Sequence, residues 1–258
     1  MLAGLGRLWS RRELVVALIG RDLRSRYKGS VLGVAWSLLN PIALVAVYTV
    51  AFQFVIRIRI PHYPLFLIVG LLPWLFFASA LSAAVGSIVD QGALVKKVAF
   101  PREVLPIAAV GSQLTHFGLA YFLVVPLVAA AQVGLGAAIL LLPALLLLLA
   151  LFTCGLALAL ATAQVYLRDS RHLLEVLLQI WFWATPVVYS LSLVPDRLRP
   201  VYLLNPLASF VASFRDVILD LSVPDPRRLA ALVAISIATF AAGYAVFSRC
   251  QPRFAEHV

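Results

Sequence analysis

The stretch that decides the fold is residues 167–189, LRDSRHLLEVLLQIWFWATPVVY. Arg168, Asp169, Arg171 and His172 form a charged patch that opens directly into a span holding Trp181, Phe182 and Trp183, and then a central proline, Pro186. At a rise of about 1.5 Å per residue, charge meets aromatic membrane helix within about three turns. The pattern marks a point where a charged surface is joined directly to an aromatic membrane segment.

On either side of this stretch the chain is too apolar for a soluble domain. Of its 258 residues 63% are hydrophobic, the mean hydropathy is +1.00, and soluble domains hold nearer half. Runs free of Asp, Glu, Lys and Arg are long enough to cross the hydrocarbon core as helices. A transmembrane barrel would need short segments alternating apolar and polar residues, and continuous Leu/Ala/Val runs do not alternate. The expected fold is an all-α integral membrane protein: six transmembrane helices, an N-terminal amphipathic interfacial helix (residues 1–30), and a re-entrant segment between helices five and six, with residues 31–258 forming the six-helix transmembrane domain. Cys154 and Cys250 have no spacing that suggests a metal or redox pair. The net charge of +10 is read as topology and anionic-lipid contact, with no nucleic acid as partner. The basic opening thirty residues lack the short apolar core of a cleavable signal peptide.

In residues 11–28, Val15, Ile19, Leu23 and Tyr27 recur every four positions, while Arg21, Arg24 and Lys28 share the other side; Asp22 and Arg26 fall near the apolar side. Gly29, Ser30 and Gly33 end the pattern. The first span is residues 34–56, with Asn40-Pro41 near its start; the second is 63–84, with Pro73 and Trp74. A polar island at 86–103 holds Asp90, Lys96, Lys97 and Arg102. Residues 104–167 are far longer than one span needs and predict a hairpin turning at 132–136. The fifth span is drawn at 176–194 and the sixth at 229–248. Between them, residues 200–214 are apolar but too few to cross, as in a re-entrant segment bent at Asn205-Pro206. With the N-terminus inside, fourteen of the 21 Lys and Arg fall on that side and seven on the other, including Arg57, Arg59, Arg215 and Arg228. Both termini are therefore expected in the cytoplasm.

The spans hold little acid-base chemistry. His116 is a lone intramembrane histidine, and such a residue is more often a packing group than a catalyst. Glu175 sits at a helix start, where the dipole favours a carboxylate without a catalytic task. No Asp or Glu lies in the middle of a span, as ion coupling would require. None of the three lysines stands in a phosphate-cradling G-x-x-x-x-G-K-[ST] spacing. If ATP drives this protein, a separate subunit binds it with its Mg, and this chain holds no cofactor or metal of its own. The spans are rich instead in aromatic rings, whose faces give sugar C–H groups an apolar surface to slide along.

Three stretches carry a family resemblance: RDLRSRYKGSVLGVAWSLLNP at 21–41, FPREVLP at 100–106 and YLRDSRHLLEVLLQIWFWATPVVY at 166–189, followed by LNP at 204–206. Together they resemble the membrane subunit of a type-2 ABC exporter, the permeases that carry O antigen, capsule or wall polymers across the bacterial inner membrane. The resemblance implies a homodimer, each subunit docked on a separate cytoplasmic ABC ATPase, and a polyprenyl-diphosphate-linked polysaccharide as cargo. It implies that Arg21, Arg24, Lys28, Lys96, Lys97 and Arg102 receive the ATPase movement, with Arg24 and Lys28 near the lipid diphosphate. Tyr48, Phe52, Trp181 and Phe182 are the expected channel wall. The alternatives are a drug- or lipid-exporting permease of the same fold, a membrane-embedded glycosyl or acyl transferase, disfavoured by the scarcity of buried acid-base groups, and a structural scaffold, which would not explain prolines in spans one, two and five.

Overall fold

The computed structural model describes residues 12–27, 36–97, 100–132 and 136–254, and among them the regular structure is helical. In chain order the helices are α1 (Arg12–Tyr27), α2 (Trp36–Thr49), α3 (Tyr63–Val85), α4 (Gly92–Lys97), α5 (Val104–Gln132), α6 (Leu142–Tyr166), α7 (Ser170–Trp183), α8 (Arg199–Leu203), α9 (Pro206–Ile218) and α10 (Pro226–Cys250). Among the described residues four stretches are long and apolar enough to cross a membrane: Tyr63–Val85, Val104–Ala131, Ala137–Tyr166 and Pro226–Arg253. They contain the expected second span, both arms of the hairpin and the sixth span. α5 ends at Gln132 and the next turn of helix starts at Ala137; residues 133–135 of the expected hairpin turn lie outside the described residues, as do the Gly29–Gly33 break and Lys28.

Starts and stops follow local chemistry. Asn205 caps α9, its side-chain oxygen accepting from Leu207 N at 3.0 Å, and Asp225 caps α10 by accepting from Arg227 N at 2.7 Å. Pro206 and Pro226 follow in the first turn, where a missing N–H costs nothing. The first span keeps its helix through Pro41 and then widens into a π-helical stretch, Val50–Val55.

Two expectations are corrected. The fifth span does not run over residues 176–194: α7 ends at Trp183, and residues 184–190 form a turn around Pro186, which has no N–H to carry a helix on. Arg215, counted among loop charges, belongs to the last turn of α9. The apolar segment after span five is a pair of helices, α8 and α9, bent at Asn205-Pro206 as its sequence predicts.

α3 is the central pillar, packed by α2, α5, α6, α7 and α9. In its apolar window 67% is buried, against 22% for that of α10. Leu67, Leu71, Phe77 and Leu81 are its innermost side chains. α6 and α10 cross almost backbone to backbone. A Cβ at Gly243 would lie 1.9 Å from the Gly155 carbonyl oxygen, so only glycine fits there. α1 lies along α5, with Ile19 over Gly111 and the Ser112 hydroxyl donating to the Asp22 carboxylate. Asp22, which spoils the apolar side in sequence, is the residue that fastens this helix.

Candidate functional site

Where α2, α3 and α7 meet, aromatic rings form a continuous cluster. Tyr48 stacks on Phe182 with centroids 6.0 Å apart, Trp74 closes on Phe182 at 5.4 Å, and Phe52 lies 6.2 Å from Tyr48 and 6.4 Å from Trp183. Phe182 is 9% exposed, whereas Trp183, the next residue, is 52% exposed. Beyond it Leu173, Val176, Leu177 and Ile180 carry an open apolar face along α7. Trp181 points elsewhere: its ring edge meets Phe77 at 5.2 Å and its Nε1 donates to Asn205 Oδ1 at 2.9 Å.

Behind this cluster the end of α7 has lost its helical donors, and carbonyls left bare in an apolar setting would each cost several kcal/mol, on the order given for unsatisfied groups in hydrocarbon. They are met by side chains. The Tyr189 hydroxyl donates to Trp183 O at 2.5 Å, and Asn205 Nδ2 donates to Ala184 O at 3.1 Å. Arg215 donates to Pro186 O at 2.7 Å and to Val187 O at 2.6 Å; the Tyr63 hydroxyl donates to Val188 O at 2.7 Å. The Arg215 guanidinium also lies over the Phe66 ring, 3.5 Å from its centroid, a cation–π contact made by a half-buried side chain whose Nε is out of reach of solvent. Gly70 leaves the room for it, since a Cβ there would sit 2.4 Å from Arg215 Nη2. Past the end of α9, burial raises the Asp220 carboxyl above its ordinary value, Asp216 adding to this and Arg215 opposing it. Asp216 itself binds Arg228 of α10 at 2.5 Å.

The charged end is a separate surface. Arg21 of α1 donates to Gln91 Oε1 at 3.1 Å in the turn after α3, and Arg171 of α7 approaches Asp90 of that turn at 3.9 Å. Leu18, Arg21, Asp22, Ser87, Asp90 and Gln91 border a cleft of about 150 Å³ between α1 and the turn. Arg102 donates to the Gln251 carbonyl and so ties the end of the polar island to the end of α10. Arg24 and Lys96 are exposed. Of Lys97 the backbone is described, at the end of α4.

Most of the chain, residues 13–219, matches the model of the ABC-2 type transporter family. The chain belongs to this family. It is similar over nearly its whole length to the O-antigen export system permease protein RfbA of Myxococcus xanthus, 36% identical over 253 residues with 97% of each chain covered. Its likeness to the RfbA of Klebsiella pneumoniae is 30% over 262 residues, covering 95% of this chain and 94% of that one. The polysialic acid transport protein KpsM of Escherichia coli is 23% identical over 240 residues, covering 92% and 93%. As an ABC-2 transporter the chain is a multi-pass membrane subunit, in agreement with its four long apolar helices.

In this ABC-2 chain the structure brings Tyr48, Phe52 and Phe182 together and turns Trp181 toward α3 and the start of α9. Residues 21, 91, 90 and 171 share one surface, with Arg102 at its border with α10. Sequence reading missed Trp183 as the exposed ring and Arg215 and Asn205 as the groups that hold the broken helix end. The signal for Arg215 was available: a lone arginine in the apolar run LASFVASFRDVI has to find acceptors.

Proposed function

We propose that this chain is the permease subunit of an ATP-driven exporter that moves polyprenyl-diphosphate-linked polysaccharide from the cytoplasm across the bacterial inner membrane. The observation that carries the reading is the course of α7: it leaves a charged surface at Arg168–His172, presents Trp183 and an uncharged apolar face, and stops at an elbow. Full-length similarity to the O-antigen permeases and to KpsM supports the same cargo class.

In this reading the chain has six spans, α2 with its π-helical end and α7 with its elbow supplying the two shorter ones, and both termini lie in the cytoplasm. Two copies form a homodimer, and each docks a separate ABC ATPase subunit that binds ATP and Mg. Tyr48, Phe52 and Phe182, with Trp183 in front and Trp181 bracing from behind, wall the path between subunits. Arg24 and Lys28 pair with the lipid diphosphate at the cytoplasmic surface. Closure of the ATPases pushes on α1 and on residues 86–103, through Arg21, Lys96, Lys97 and Arg102; the Arg171–Asp90 contact passes the push to α7, and the path opens. Hydrolysis resets the dimer. The aromatic wall gives a sugar chain apolar faces to slide over without a charged group that would hold it.

The test is ATP turnover and glycan export by the permease co-purified with its ATPase in lipid. Replacing Lys96, Lys97 and Arg102 together with alanine is expected to lower substrate-stimulated turnover by about ten-fold, the cost of losing a few charge-assisted contacts. Unchanged turnover removes the coupling role from that island.

A further inference from the structure

The carbonyls of Ala184, Pro186, Val187 and Val188 in the elbow after α7 are held from outside it. Its local closures are the Ala184 N to Ile180 O bond at 3.0 Å, the Thr185 N to Phe182 O bond at 3.1 Å, the Thr185 hydroxyl to Trp181 O at 2.8 Å, the tight Val187 N to Thr185 O turn at 2.7 Å and the Tyr189 hydroxyl on Trp183 O. The other donors come from two places, Tyr63 on α3 and the α8–α9 pair with Asn205 and Arg215. Asn205 Nδ2 also reaches Thr185 Oγ1 at 2.9 Å, so this amide and the Arg215 guanidinium fix opposite ends of the same turn. Pro186 has no N–H, and the turn cannot be rewound into helix to satisfy its carbonyls internally.

We propose that Arg215 is the positioning residue that makes the elbow and α9 one moving body, so that the direction of Phe182 and Trp183 follows α9. A guanidinium presents donors in a fixed fork and stays charged, so a single side chain bonds two consecutive carbonyls while its face rests on Phe66. A shift of α9 alone would strand the Pro186 and Val187 carbonyls in an apolar setting with no water to replace the donor. The elbow therefore travels with α9. At its far end α9 is tied to α10 through Asp216 and Arg228, and α10 to Arg102 through Gln251. This chain of contacts joins the polar island to the aromatic rings by a route that does not pass along α7. Gly70 keeps that route open on the α3 side.

The proposal rests on the export reading only for its transport arm; the elbow itself is tested by chemistry. Val188 is 1% exposed. In a protein carrying Cys154→Ala, Cys250→Ser and Val188→Cys, N-ethylmaleimide labelling is measured on the complex with its ATPase in lipid, with co-purification and melting as folding controls. Arg215→Gln is expected to speed labelling by about ten-fold or more, the loss of two bonds to a charged donor, and to raise the ATP consumed per exported polymer, while Arg215→Lys, a point donor, falls between in both. If Arg215→Gln does not assemble, Gly70→Ala, which displaces the guanidinium and keeps its charge, must give the same rise. Labelling that stays at the parent rate in folded Arg215→Gln, or in Gly70→Ala in its place, overturns the proposal. Faster labelling in a complex that exports no polysaccharide supports the joint and sinks the polysaccharide reading instead.

Discussion

The α6–α10 crossing and the α7 elbow solve the same problem, joining helices in a setting without water, by opposite means. At the crossing two glycines let main chain touch main chain, and no side chain lies between. At the elbow the backbone has come apart and three side chains from two other elements hold it. A backbone contact offers one geometry, because interiors packed this closely do not deform gradually. Side-chain bonds to a turn can shift together when the element that carries them shifts. The first region suits a fixed frame and the second a joint.

The largest effect that would break this contrast is expected at the crossing. Gly243→Leu drives a side chain into the Gly155 carbonyl, and a loss of about 4–5 kcal/mol or more is expected, read as failure to recover folded protein or a collapsed melting transition in detergent. A variant that melts normally would mean that the two helices are not in backbone contact. Smaller is Asn205→Ala, which strands the Ala184 carbonyl and the Trp181 N–H, for about 1–3 kcal/mol in the same melt. If its loss matches that at the crossing, the elbow is frame and not joint. Smallest for stability is Trp183→Ala: an exposed ring leaves no cavity, so melting moves by under about 0.5 kcal/mol while export of lipid-linked glycan falls. Export at the parent level would take Trp183 out of the path.

Much of this contrast was hidden in the sequence. The long spans were legible because absence of charge over twenty or more residues has one cheap explanation, and the family was legible because three motifs recur in order. The end of α7 was not, since Val187, Val188 and Leu191 prolong an apolar run that hydropathy cannot distinguish from continuing helix. What stops the helix is Pro186, and what makes stopping tolerable is an arginine 29 residues further on. Counting charges assigned Arg215 to a loop because the positive-inside rule weighs number and not partners. Of the residues expected in a channel wall, Tyr48, Phe52 and Phe182 lie together in one aromatic cluster. The facing of Trp181 was not readable, since it is set by Asn205 on a later element.

The wide-wound stretch at Val50–Val55 has a bearing on how this chain can vary. A π-helical turn holds more residues per closure than an α-helical one, so it can yield one residue by tightening, without unfolding its neighbours. Loss of a residue from the middle of α6 has no such outlet: the turns beyond it would rotate by roughly 100°, at 3.6 residues per turn, and carry Gly155 out of line with Gly243. Single-residue length changes are thus absorbed beside the C-terminal end of α2 and rejected in the frame.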